Sequence, residues 1–585
     1  MFYIFLLFGV LIRLLFVPMA GFKADMAFWK GWGLAMVDKG IIWLVKNTNY
    51  NYPPGFAYVL YLINKTYNLF KNPYNIPEYW FDHNLLYLFL VKTIIIIADI
   101  LVVILLVKFG KKLKSKWVIA LAIFYFLNPV TIFDGVIWGQ VDQFGIFIFF
   151  ASVYLLYIDK PKWATVVFTI SFLMKFQNII FIPLFFLYVF KRYSVRQLME
   201  CLWVAFVVFL IGIFPFWYHK EMEDLFRLLT INSDWFPWFS LNSFNLWWIV
   251  SGLNGLHTND KTLLIGVVNA KQTGLLLFTW AYFIACISIF FSDKKQLFKN
   301  FILAACLGVF AFFHLLTQSH ERYLFPLFVL LPLFAMVGGL KDFGGIKKFF
   351  VFMSLLSLAV FLNMYISMQM NYPDQVIWPF STDLTRFMTL YLSIFQIILF
   401  VAFLVICCRS EIAKYRLIIG GFAILLIAVF IFKNINYYQG KPIPLTSLTP
   451  VDWHQSYLGP VYGKTVDSAR GPFFWNRLSD NYYFYEKGIG SHADSEITYA
   501  VKGKFSRFQS DYGVDTEGDP NAQVYFSVLG DGRELFKSQI KGRFDPPSVV
   551  SVDVRGVDNL VLKITRGKDS IFGAHADWLN PVLIK

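Results

Sequence analysis

Asp25, Asp134, Gln140, Asp142, Lys175, His320, Glu321 and Arg322 stand out because each interrupts or abuts an almost pure hydrocarbon run. They fall in four short stretches: GFKADMAFWKGW, DGVIWGQVDQF (134–144), MKFQ and SHERY. A carboxylate within about 3 Å of a hydroxyl can take its proton. The planar guanidinium of Arg fits a phosphate, and Lys adds a point charge. Singly, each residue could be a solvated loop end or a helix cap, and Glu321–Arg322 could be an ordinary ion pair at a helix start. Ionisable groups at the ends of membrane helices are costly unless solvated or paired, so several of them on one side point to a shared functional cavity.

Whether they share a side depends on the elements that carry them. Of the 585 residues, 57% are hydrophobic and only 15% charged, with a mean hydropathy of +0.57. A soluble chain would carry about a quarter charged residues. Apolar runs near the length of a bilayer crossing recur from 2–20 to 417–433 and predict 13 membrane spans. The first is read as a retained helix rather than a cleaved leader. Six connections, KFGKKLKSK, DKPK, KRYSVR, SDKKQLFK, KDFGGIKK and RSEIAKYR, are short and basic, whereas those holding the eight residues have few Lys or Arg. Basic loops belong on the cytoplasmic side. This puts the N-terminus inside, and the eight residues, the long loops near 21–83 and 218–273, and everything past 434 outside. The net charge of +15 then orients loops and implies no nucleic acid. The five cysteines all lie in apolar runs, so no disulfide framework or zinc site is implied.

Residues 22–45 put Met26, Trp29, Gly33, Val37, Ile41 and Leu44 on one helical face, with Lys30, Asp38 and Lys46 elsewhere. This predicts an amphipathic helix in the membrane interface, with Asp25 in its first turn, where the dipole favours a carboxylate; a core helix would show the same spacing. The expected domains are a membrane domain over 1–433, a proline-rich linker over 434–449 and a β-sandwich over 450–585. In VVSVDV, Val550, Val552 and Val554 alternate with Ser551 and Asp553, and VYFSVLGDGRELFKS reads as a hairpin.

The motifs then match known families in chain order. GFKADMAFWKGW resembles the first external loop of the GT-C glycosyltransferases, whose carboxylate would be Asp25. YNYPPGFAY (50–58), NPVTIFDGVIWGQVDQFG, FLMKFQNIIFIPLFF and SHERYLFPLFVLLPL are similar to segments of the dolichyl-phosphate-glucose-dependent branch, the similarity running over roughly residues 1–340. The WGQVD turn departs from the eukaryotic form. EKGIGSHADSEITY, FSRFQSDYGVDTE, VYFSVLGDGRELFKS and GAHADW resemble the NPCBM domain, a galactose-binding-like β-sandwich. The fold class implied is a polytopic helical membrane protein, GT-C-like, with a C-terminal extracytoplasmic β-sandwich.

That resemblance implies a polyprenyl-phosphate-sugar donor and displacement at the anomeric carbon with inversion. The lipid phosphate is already a good leaving group, so one base and a cationic clamp suffice, with an oxocarbenium-like transition state as in glycoside hydrolysis. Asp25 is the expected base, and Arg322 and His320, supported by Lys175, the expected phosphate clamp. Asp134, Gln140, Asp142, Tyr52 and Glu321 are expected to shape the cavity and bind substrate. His492, His575 and Asp577 form a weak candidate sugar or metal site in the sandwich, or simply pack together. No cofactor is expected and no metal, although a divalent ion between Asp25 and Asp142 stays open. The expected partners are membrane lipid, the lipid-linked donor and a glycan, lipid or protein acceptor at a plasma membrane. Aromatics of 233–248 could stack on sugars or form an interfacial belt. A transporter of lipid-linked saccharides would use the same cavity without chemistry, but no inverted repeat of the kind transporters show is visible.

Overall fold

The computed structural model describes residues 2–231, 234–470, 477–481, 483–567 and 571–585; Ser233, which opens the aromatic segment, lies outside them. The chain divides into two compact units, Met1–His257 with Leu277–Gly421, and Thr258–Leu276 with Phe422–Lys585.

The first unit is helical. Among the described residues the whole chain has seven helices long and apolar enough to cross a membrane, or eight if the bent pair Val118–Phe126 and Pro129–Trp138 is one span. The expected 13 is not reached by that measure. Apolar runs such as Asp142–Tyr157 and Pro161–Met174 form helices of 16 and 14 residues. At 1.5 Å per residue these rise roughly 21–24 Å, short of a hydrocarbon layer of about 30 Å.

Two breaks in these runs matter most. The pair Val118–Phe126 and Pro129–Trp138 bends by 42°. Asn128 caps the second piece, its Oδ1 accepting from Val130 N at 2.9 Å, and Pro129 suits the first turn because it has no N–H to satisfy. The chain then widens into a π-helical turn, Phe133–Trp138, ended by Gly139 at φ 90°. Such turns occur often at functional sites. The connection between the apolar runs at 163–174 and 177–190 is the second: helix Pro161–Met174 stops at an extended Lys175, and a 3-10 turn, Phe176–Phe181, leads into Ile182–Arg192.

Helix Lys23–Asn47 is a packed hairpin partner rather than a helix with one buried stripe. Its Trp29, Trp32, Met36, Ile41 and Leu44 share a buried cluster with Phe56, Leu60 and Ile63 of helix Pro54–Phe70. Lys30, expected off the apolar face, is buried, its Nζ donating to Phe81 O at 2.9 Å. Gly33 is required at the crossing, since a Cβ there would lie 1.7 Å from Asn64 Nδ2.

Buried charges fix the first helix, Phe2–Phe16. Arg13 Nε pairs with Asp99 Oδ2 at 2.8 Å, and Tyr125 donates to the other oxygen of Asp99 at 2.7 Å. Lys92 Nζ donates to Val17 O at 3.1 Å and Met19 O at 2.5 Å. A cation on the exposed carbonyls of a helix C-terminus satisfies them and complements the dipole, so the turn leading toward Asp25 is held at its start.

The second unit is an antiparallel β-sandwich. One sheet runs Ser548–Asp553, Arg507–Val514, His575–Ile584, Gly488–His492, Val461–Tyr462, and the other Arg533–Lys537, Gln523–Gly530, Asn559–Arg566, Ser495–Ala500, Asp452–Gln455. Period-two burial builds the core: Leu560, Leu562 and Ile564 point inward with Phe526, Val528 and Trp578. Val550 and Val554 are buried while Ser551 and Asp553 are exposed. Strands Gln523–Gly530 and Arg533–Lys537 pair across Asp531 and Gly532, both at positive φ, as a two-residue hairpin turn requires. Residues 434–449, expected as a linker, contain the end of helix Arg416–Tyr438 and strand Ile443–Pro444, which pairs with His575–Ile584. The sequence did not reveal a hairpin, Leu263–Ile265 with Val268–Asn269, that joins this unit.

Candidate active site

Asp25 occupies the first turn of helix Lys23–Asn47, and that turn is docked on the π-helical break. Phe22 N donates to Trp138 O at 2.8 Å, and the two rings stack with centroids 4.8 Å apart. Gly21, at φ 80°, allows the approach, because a Cβ there would meet Trp138 O at 2.6 Å. Gln140 Nε2 donates to Asp25 Oδ2, and Gln140 N is itself held on Asp134 O at 2.9 Å. The carboxylate is half-buried. Burial raises its pKa above the ordinary aspartate range, opposed by the positive charge of Arg322 and the Gln140 hydrogen bond.

Beside it lies a line of alternating charge drawn from three segments. Lys175 Nζ donates to Asp142 Oδ1. Asp142 Oδ2 faces Arg322 Nε at 3.4 Å, Arg322 Nη1 donates to Glu321 Oε1 at 2.5 Å, and His320 Nδ1 lies 3.8 Å from Glu321 Oε2. Lys175 is presented by the break at 175, Asp142 by the first turn of its helix, and 320–322 by the turn between helices Leu297–Leu315 and Leu327–Met336. Burial holds the His320 pKa below its ordinary value, helped by Arg322, whereas Arg322 holds Glu321 low against the effect of burial. Tyr52 lies within electrostatic reach of Asp25, Arg322 and Asp142. Burial, with Asp25 second, raises its phenol pKa.

The sequence-predicted residues are therefore brought together, though not all at the surface. Asp134 and Gln140 are fully buried. Neither Asp134 oxygen has a hydrogen-bond partner among the described residues, and the group lies within electrostatic reach of Asp142, Lys175 and Arg322. Of the aromatics in 233–248, Phe239, Phe244, Trp247 and Trp248 are buried, and Leu241 N donates to Ser319 O at 2.9 Å, so this loop braces the 320–322 turn. Tyr372 was missed: its hydroxyl accepts from Ala24 N at 3.1 Å. Its segment, NYPDQ, is a polar connection without Lys or Arg between two apolar runs, which was the available signal.

In the second unit, His575 and His492 are register partners on adjacent strands with rings 5.2 Å apart, and Asp577 is 1% exposed.

Residues 474–584 match the NPCBM/NEW2 domain family. A putative endo-alpha-N-acetylgalactosaminidase of Renibacterium salmoninarum is 33% identical over 96 residues, 16% of this chain and 6% of that protein. The chain thus spans a small fraction of the curated relative it matches. The CBM51 of Clostridium perfringens GH95, solved with methyl-galactose, is 26% identical over 24% of this chain and 99% of its own, with a TM-score of 0.22. ArnT of Cupriavidus metallidurans, solved with undecaprenyl phosphate, covers 72% of this chain and 76% of its own at 11% identity and a TM-score of 0.39. The arabinosyltransferase EmbB of Mycobacterium smegmatis covers 98% and 64% at 10% identity and a TM-score of 0.24. The family match thus falls in the C-terminal β-sandwich, at residues 474–584.

Proposed function

We propose that the protein is a membrane-embedded inverting glycosyltransferase that moves a sugar from a polyprenyl-phosphate donor to an extracytoplasmic acceptor, a cell-envelope glycan, glycolipid or protein. The observation that carries this is the meeting of Asp25 with the Lys175–Asp142–Arg322–Glu321 charge line, from segments up to about 300 residues apart in sequence. Asp25 accepts the proton of the acceptor hydroxyl while its oxygen forms the new bond to the anomeric carbon. The bond from that carbon to the phosphate oxygen breaks, and the polyprenyl phosphate leaves with the electron pair. Arg322 and Lys175, with His320 beside them, stabilise the growing charge on that phosphate. Before the donor arrives, Asp142 and Glu321 hold the cations in place. Gln140 fixes the Asp25 carboxylate through its amide N–H. The short basic connections support this topology, with the N-terminus in the cytoplasm and the site and the β-sandwich outside, on the side of an acceptor glycan.

The test is donor consumption by purified protein in detergent, with a panel of short-chain polyprenyl-phosphate sugars followed by mass spectrometry. Asp25→Asn is expected to lower turnover by about 10²- to 10⁴-fold, the usual worth of a general base, while leaving donor binding intact. Tight donor binding without turnover by the wild type, with acceptors supplied, would favour a transporter and sink the enzymatic reading.

A further inference from the structure

The helix that carries Asp25 does not cap itself. Its N-cap, Phe22, has no side-chain acceptor, and Lys23, Ala24 and Asp25 fill the first three positions of Lys23–Asn47. A capping side chain normally accepts from the second or third helical amide, and in a capping box the side chain at the third position reaches back to the amide of the cap residue. Asp25 stands at that third position. Both amides are satisfied from elsewhere in the fold: Phe22 N donates to Trp138 O at 2.8 Å, and Ala24 N donates to the Tyr372 hydroxyl at 3.1 Å. Among the described residues the Asp25 carboxylate takes its hydrogen bond from Gln140 instead.

Tyr372 is placed for this by its own turn. Its N donates to Met368 O at 2.7 Å at the end of helix Ile346–Asn371, and its carbonyl accepts from Gln375 N at 3.0 Å. Its ring meets that of Phe22 edge-on, with centroids 4.9 Å apart. Lys23 reaches the same segment, its Nζ 2.7 Å from Asp374 Oδ2 and 3.6 Å from Asp82 Oδ2. The Asp374 side chain is 57% exposed and that of Lys23 28%, and exposed ion pairs contribute little. The hydroxyl, rather than the ion pair, is therefore the anchor.

We propose that Tyr372 is a positioning residue: with Trp138 O it caps the helix from 348 residues away along the chain, and so leaves the Asp25 carboxylate to the acceptor hydroxyl. This rests on Asp25 being the base of the reaction proposed above. Without the hydroxyl, the Ala24 N–H is an orphan at a helix start, and the carboxylate one residue along can turn to accept it. A carboxylate used in that way withdraws from the acceptor. Holding one more N–H, it is also the more acidic, because hydrogen bonds to the charged form favour that form.

The test follows turnover against pH for the full chain in detergent, with the polyprenyl-phosphate sugar that the wild type consumes. Tyr372→Phe keeps the ring against Phe22 and removes only the acceptor. It is expected to lower kcat about 5- to 30-fold, the range of a lost cap, to leave donor affinity unchanged, and to move the acid limb to lower pH. The charged groups that face Asp25, namely Arg322, His320 and Glu321, with Tyr52 in reach, are the same in both proteins, so the limb reports the hydrogen-bond partners of the carboxylate. Asp374→Asn removes the exposed ion pair and is expected to change kcat less than about 3-fold, with the limb in place. A limb that stays put in Tyr372→Phe, whether or not kcat falls, would overturn the proposal, as would an equal fall in Asp374→Asn. Turnover that Asp25→Asn abolishes and Tyr372→Phe leaves intact removes only this role of Tyr372, whereas no donor consumption by the wild type removes the transfer reading and this role with it.

Discussion

At the scale of single residues, the proposed chemistry depends on how Arg322 and Asp25 share one field. Burial raises the Asp25 pKa, and Arg322 is the largest force holding it down. A base must be ionised to act, so kcat/KM is expected to fall on acidification through a midpoint above the ordinary aspartate value of about 4. Arg322→Gln removes the positive charge and should move that acid limb to higher pH, which a pH–rate profile of both proteins would show. A limb that stays put in the variant would separate Arg322 from the base. Arg322→Lys keeps the charge but loses the planar fork. It is expected to weaken donor binding roughly 10- to 100-fold, the worth of a charged hydrogen bond, with the acid limb unmoved.

At the scale of elements, the site stands on close helix packing and on two breaks in apolar runs. Gly33 sits where helices Lys23–Asn47 and Pro54–Phe70 cross, and Asn64 fills the space a side chain would need. Asn64 Nδ2 donates to Leu60 O at 3.0 Å and Asn64 Oδ1 accepts from Tyr79, so it cannot swing aside without losing both bonds. Gly33→Ala is therefore expected to destabilise the helical unit by about 1–3 kcal/mol, the usual cost of overpacking, read as a lower unfolding temperature in detergent. An unchanged temperature would mean that the crossing relaxes freely.

At the scale of the molecule, the second unit is assembled from two separated stretches of chain. Leu263 of the hairpin and Tyr437 of helix Arg416–Tyr438 lie in the sandwich core, and Lys504 Nζ donates to Gly266 O at 3.1 Å. Ending the chain at residue 449 removes that core. The amides of 263–269 are then expected to lose protection in hydrogen exchange, while those of Leu297–Leu315, which belongs to the other unit, keep theirs. Equal protection of the hairpin with and without the sandwich would show that it folds on its own.

Composition and period determined a good deal of this. A mean hydropathy of +0.57 and runs of hydrocarbon can only be buried as membrane helices, and the alternation in VVSVDV can only place one set of side chains inside a sheet. The chemistry-bearing residues were legible because a charge beside lipid-like sequence needs a reason. Three-dimensional contacts decided the rest. Hydropathy does not register a bend at Asn128, so the apolar run around it looks like one whole span although the backbone turns within it. Lys30 looks polar by pattern, yet one carbonyl, Phe81 O, makes its burial tolerable. Asp142 stood out by its place beside lipid-like sequence, but its partners, Lys175 and Arg322, lie 33 and 180 residues away along the chain. Sequence states which groups are present; only tertiary packing sets the distance and screening between them, and Coulomb energies depend on both.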